Sequence, residues 1–266
     1  KYTATKLAEK ESDWLGILVN LFGAGTEAAD MQGDFVDPAV SGERFERLKL
    51  VIERSALRRH QAREGLIEEV GFEGDLNAMW GWMRQQPELR YESEEDVLES
   101  YRSLRAVVEP HLPELFGRLP EADFEIRPVE EYRQQSAAAA SYMPSSPDGS
   151  RPGVFYVNTY DLKSRPRYNI EAIYLHEAAP GHHFQIALAM EQDVPTFRKI
   201  VGFTGFVEGW ALYAERLAWE LGWYEEDPHG DLGRLQYGAL RAARLVMDTG
   251  IHDLGWSFDM ATQFNV

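Results

Sequence analysis

The spacing of apolar residues predicts a chain that is mostly helical. Leu7, Trp14, Leu15, Leu18 and Val19 form a stripe at helical spacing over residues 1–20. Residues 21–41, rich in glycine and holding Pro38, read as loop. A long helix follows from about Gly42 to Val70, with Phe45, Leu48, Val51, Ile52 and Leu57 on its buried side. Its alternating Glu and Arg residues read as a solvated, salt-bridged face rather than a basic binding patch. Shorter helices are expected around 75–85, 93–109 and 111–117, ended by Pro87, Pro110 and Pro120.

The period changes after Ala122. Phe124, Ile126 and Pro128 alternate as in a strand, and Gly153–Thr159 is a β-branched and aromatic run. Asp148-Gly149 between them is a turn signal, so the pattern predicts a small antiparallel element. Ala137–Ala140 reads as plain helix or loop. Helix resumes over 168–179, 183–192, 203–221, 229–250 and from 256 to the end. The expected fold is mainly α, one domain with a helical part (1–121) and a core (122–266).

Composition narrows the function. Lys and Arg number 27 against 44 Asp and Glu, giving a net charge of −17, which repels phosphate backbones and anionic lipid. Nucleic acid is therefore not an expected partner. The absence of cysteine excludes disulfides, thiolate metal sites and thiol nucleophiles. No apolar run approaches the ~18 residues of a membrane span, and no signal-peptide pattern is present. The chain starts at Lys1 and stops inside an amphipathic pattern at Val266, so it reads as part of a longer protein. A chain lacking an initiator Met is consistent with an exported or periplasmic location; oligomeric state is left open.

Three of seven histidines fall within eight positions, in Tyr174-Leu-His-Glu-Ala-Ala-Pro-Gly-His-His-Phe-Gln185. His176-Glu177 has the start of the zinc motif H-E-x-x-H, in which two imidazoles one turn apart face one metal and the Glu lies beside its water. Here the i+4 position is Pro180, and the next histidines are at i+6 and i+7. Proline leaves the helical ladder and glycine tolerates unusual dihedrals. A bulge of two extra residues would then return His182 to the place i+4 normally occupies. His182 is the expected second ligand and His183 the alternative; capping histidines at a helix end are the competing reading. For a third ligand, Glu208 and Glu215 lie two turns apart on the apolar helix containing Trp210, Leu212, Tyr213 and Leu217. Acids on an apolar face are costly unless paired or bound to metal, which favours Glu208 as a ligand over simple exposure.

Four ordered motifs resemble the bacterial family called domain of unknown function 885. They are Tyr142-Met-Pro with Asp148-Gly-Ser-Arg-Pro-Gly-Val-Phe-Tyr-Val-Asn158-Thr, the His176 segment, Glu208-Gly-Trp-Ala-Leu-Tyr-Ala-Glu215, and Arg241-Ala-Ala-Arg-Leu-Val-Met-Asp-Thr-Gly-Ile-His252. The resemblance implies a gluzincin-like zinc metallopeptidase with a zincin-like helical architecture. Val207-Glu208 with Glu215 is similar to the third-ligand helix of thimet-type oligopeptidases, and Gly181-His182 to the Gly-His that closes their motif. Dipeptidyl peptidase III accommodates one inserted residue there; this sequence inserts two.

The implied site is one Zn²⁺ held by His176, His182 and Glu208, with Glu177 as general base on a metal-activated water. Gly153–Thr159, including Asn158, is the expected edge strand for an extended peptide. His252 is a candidate oxyanion donor or a structural residue, with Tyr213, Tyr237, Arg241, Arg244 and Asp248 as further candidates near the substrate. Arg244 and Asp248 read as an i,i+4 salt bridge. His183 and Glu215 are expected to support the ligands. The expected activity is peptide hydrolysis. The alternatives are a non-catalytic metal- or peptide-binding protein, and a hydrolase of a non-peptide amide or ester.

Overall fold

A computed structural model describes residues 65–67, 69–146 and 150–262. The helix expected over 1–20, the loop over 21–41, most of the 42–70 helix and the Asp148-Gly149 turn lie outside the described residues. The chain divides into two compact units, residues 63–237 and residues 1–62 with 238–266.

The 63–237 unit begins with α1 (Leu76–Met83), whose first turn is capped by Asp75 accepting the Ala78 N–H at 2.8 Å. Helix α2 (Glu94–Val108) is capped in the same way by Ser93, which accepts from Asp96 N at 3.1 Å. Its Val97, Leu98, Tyr101 and Val108 are buried, the spacing of one helical face. The short α3 (Leu112–Leu115) follows, then three strands: β1 (Phe124–Pro128), β2 (Ala140–Met143) and β3 (Gly153–Val157). Helices α4 (Ile170–Glu177), α5 (His182–Glu191), α6 (Thr196–Ile200) and α7 (Thr204–Glu220) complete most of the unit. The long α8 (Pro228–His252) contributes to it through Tyr237.

The sheet order is β1-β3-β2, with β1 parallel and β2 antiparallel to β3. This corrects the expected antiparallel pairing of 124–128 with 153–159. Alternation reveals which side chains share a face, but it is blind to the direction of pairing. The antiparallel partner is instead Ala140–Met143, whose small and polar residues carry little β propensity. Ala140 is accordingly the first residue of a strand, not part of a helix or loop. A second correction concerns the edge: β3 is paired on both sides and β2 lies outermost among the described residues. Burial agrees, since Val154, Phe155 and Val157 are almost fully enclosed.

Phe155 meets Tyr101 edge-on at 5.0 Å and Tyr174 at 6.2 Å, tying β3 to α2 and α4. Each such side chain contributes about 2–3 kcal/mol through burial. Ile67, Met79, Met83, Leu89, Tyr168 and Leu232 form a separate apolar cluster. The described part of the other unit holds the rest of α8 and a short α9 (Phe258–Thr262). There Trp256 donates its N–H to Gly250 O at 2.8 Å, and its ring fills the place a Gly250 side chain would take. Among the described residues, no helix is long and apolar enough to cross a membrane.

Candidate metal centre

The site is built where α4 stops and α5 starts. Ala178 leaves helical geometry (φ −102°, ψ −109°), and Ala178–Gly181 form a buried non-helical loop before α5 begins at His182. Phe184 N reaches back to Ala178 O at 3.4 Å, so the ladder rejoins across the looped residues. Only glycine fits at 181: an added Cβ would stand 1.9 Å from His176 O and 2.3 Å from Leu175 O. The Trp210 indole N–H donates to Pro180 O at 2.7 Å, pinning the loop to α7. Two extra residues are thus absorbed, and the His176 and His182 rings come to 4.7 Å, edge to face.

Glu208 approaches both rings. Its Oε2 is 3.3 Å from His176 Nε2, and its Oε1 is 3.6 Å from His182 Nε2. One ligand atom from each of His176, Glu177 and His182 also falls within 4.8 Å of the others. The two imidazoles are buried, whereas the Glu208 side chain is 53% exposed. The expectation that Glu208 is buried on an apolar face is therefore corrected; α7 presents it at the open side of the site. That expectation fits Glu215 instead, whose side chain is 5% exposed and lies 2.6 Å from His176 Nδ1. A buried carboxylate at Nδ1 fixes the ring orientation and turns Nε2 toward Glu208.

Glu177 is placed by the sheet: its Oε2 accepts the Tyr142 backbone N–H at 2.9 Å. Tyr142 pairs with Phe155 across the strands, but this N–H points away from β3, at the outer edge of β2. Sequence reasoning gave Tyr142 no role; the weak strand pattern of Ala-Ser-Tyr-Met concealed its position beside Glu177.

His183 does not share the approach to Glu208. Its Nδ1 bonds the Tyr142 hydroxyl at 2.9 Å, and its ring packs 4.5 Å from the Phe124 centroid. Burial pushes its pKa down to about 4, so it is a neutral packing residue at physiological pH. Asn158 is likewise structural: buried, it donates to Gln134 O and Ala137 O and accepts from Tyr160 N. Each of its polar side-chain atoms thus bonds the backbone of this chain. Tyr213 is half-exposed beside Trp210, and Tyr237 lines a small cavity that also includes Asn158. Arg241, Arg244, Asp248 and His252 belong to the other unit. There Asp248 faces His252 at 3.6 Å, both exposed, rather than the expected Arg244.

The comparisons with known proteins agree with the motif pattern. A structure of a "putative lipoprotein" from Colwellia psychrerythraea is 32% identical over 85% of this chain and 38% of its own, with a TM-score of 0.77. A "putative lipoprotein of unknown function" from Shewanella oneidensis is 16% identical, covers 98% of this chain and 52% of its own, and has a TM-score of 0.63. The chain thus spans between about a third and a half of the length of these structures. No curated protein matches it. The family model for bacterial proteins of unknown function DUF885 matches residues 53–266, and the chain belongs to that family.

Proposed function

We propose that the chain carries the centre of a zinc-dependent hydrolase, with His176, His182 and Glu208 as ligands and extended peptides as substrates. The observation that carries this reading is the spacing of the donors. Contacts of 3.3 and 3.6 Å lie outside the ordinary 2.7–3.2 Å range of N–H···O hydrogen bonds. They end on different oxygens of Glu208, and each is near the roughly 3.3 Å edge of a tetrahedron whose bonds are about 2.0–2.1 Å long. The donor set, two imidazoles and a carboxylate, is the kind that leaves a fourth position open. The Glu215–His176 contact supplies the outer hydrogen-bond acceptor that ligating histidines almost always have, here a carboxylate. A zinc ion there would supply Lewis acidity and lower the pKa of a water toward about 7.

The chain's own residues account for the rest. Glu177, held at the β2 edge by Tyr142 N–H, takes a proton from the attacking water at its carboxylate and returns it to the leaving nitrogen. The outer edge of β2, rather than β3, runs beside Glu177, so an extended peptide pairing with that strand would lie along the carboxylate. A zincin-like arrangement and a gluzincin relationship follow from this reading. The lipoprotein descriptions of the similar structures favour an exported location.

The test is cleavage of a peptide library by the zinc-loaded chain and by Glu177→Gln. Cleavage abolished in the variant, with zinc retained, supports the assignment. Cleavage retained in the variant removes Glu177 as the base. Zinc binding without cleavage in the wild type favours the metal-binding protein over the hydrolase.

A further inference from the structure

The opposite end of α4 borders a cleft of about 500 Å³ that has no part in the His176 site. Its lining includes Tyr91, Asp96, Arg167, Glu171, Asp227 and His229. Glu171, in the first turn of α4, has one carboxylate oxygen buried without a hydrogen-bond partner. Asp227, just before α8, uses Oδ1 to accept the Gly230 N–H at 3.0 Å. Its other oxygen turns toward Glu171 across Gly230, where a Cβ would stand 2.2 Å from Asp227 Oδ2 and 3.3 Å from Glu171 Oε2. Tyr91 is 8% exposed, and its hydroxyl, with Ser100 beside it, makes no hydrogen bond of ordinary geometry. Three acceptors therefore border one cleft, two of them carboxylates.

The arginine of the cleft is already committed. Arg167 bonds Asp96 at 2.5 Å, Ser100 Oγ at 3.1 Å and Arg90 O at 2.8 Å, with its guanidinium over the Tyr91 ring. Among the described residues neither Glu171 nor Asp227 forms an ion pair. Burial and the neighbouring Asp227 charge push Glu171 up to about 7, as expected of a carboxyl lacking a counter-charge. An ammonium group carries three donors.

We propose that this cleft binds the primary ammonium group of a small organic amine, with Glu171 and Asp227 as counter-charges and the Tyr91 hydroxyl as third acceptor. The inference is independent of the zinc reading. The test is calorimetric titration of the chain at pH 8 and low salt with 1,4-diaminobutane. 1,4-Butanediol serves as the neutral control and magnesium chloride as the inorganic cation. The wild type is expected to bind one diamine per chain, Glu171→Gln to bind it at least about tenfold more weakly, and Tyr91→Phe a few-fold more weakly. Circular dichroism melts establish that the variants are folded, and Tyr91→Phe decides the matter if Glu171→Gln is not. Absence of binding overturns the proposal, as does equal binding of the diol, tighter binding of magnesium, or unchanged affinity in the folded variants.

Discussion

Adding one methyl group at Gly181 tests the link between backbone and metal centre. In Gly181→Ala the new Cβ would lie 1.9 Å from His176 O and 2.3 Å from Leu175 O, against about 3.3 Å for an ordinary C···O contact. Backbone must therefore move by more than an ångström. Overpacking of this kind costs about 1–3 kcal/mol, occasionally more. In a chain this size that lowers Tm by roughly 2–12 °C, at about 2–4 °C per kcal/mol. His182 follows Gly181 directly, and a constellation tolerating only about 0.5 Å of misplacement would lose zinc affinity by at least about tenfold. Gly209, next to Glu208 on α7, is the matched control: an added Cβ there meets nothing within 4 Å. Gly209→Ala should stabilise by about 0.5–1 kcal/mol and leave zinc binding unchanged. The assays are thermal unfolding and zinc competition against a chromophoric chelator. Gly181→Ala with wild-type Tm and wild-type affinity would refute the reasoning.

Other consequences follow from the same contacts. Glu215→Gln keeps a hydrogen-bonding group at His176 Nδ1 but removes its charge; zinc affinity measured by competition should fall about 10–100-fold. Asn158→Ala deletes two donated bonds and one accepted bond inside the core; chemical denaturation should show a loss of about 2–4 kcal/mol, with zinc affinity of the folded variant unchanged. His183 has a folded pKa near 4 against an unfolded value near 6.5, so the unfolded state binds more protons between these limits. Its contribution to stability therefore falls as pH drops from about 6.5 to 4, by at most about 3 kcal/mol. Denaturation of metal-free His183→Phe should show a correspondingly shallower acid slope than the wild type; an identical slope would exclude His183 as the source.

Much of the site was legible because its histidines and carboxylates are closely spaced in sequence. His176-Glu177 and a Gly-His pair at an abnormal spacing imply a local bulge, and the sterics at Gly181 explain why glycine occupies that position. The α-helices around the site were legible for the usual reason, an apolar stripe ended by proline or glycine. What could not be read was long-range. Pairing direction in the sheet depends on a crossover that alternation does not encode, and β2 is too short and too polar to announce itself. Exposure of Glu208 depends on which side of α7 the rest of the unit covers, and Glu208 and Glu215 sit at equivalent helical positions with opposite fates. Asn158 looked chemical because buried amides and ligands share a composition; only its three backbone partners identify it as a tie between loops.

The central claim is that His182, carried back by the loop at Ala178–Gly181, is a zinc ligand while its neighbour His183 is not. Zinc titration of the wild type, His182→Ala and His183→Ala measures this directly. One zinc per wild-type chain is expected, with at least a hundredfold loss of affinity in His182→Ala and a far smaller loss in folded His183→Ala. Equal losses, the reverse order, or a wild type that binds no zinc would contradict it.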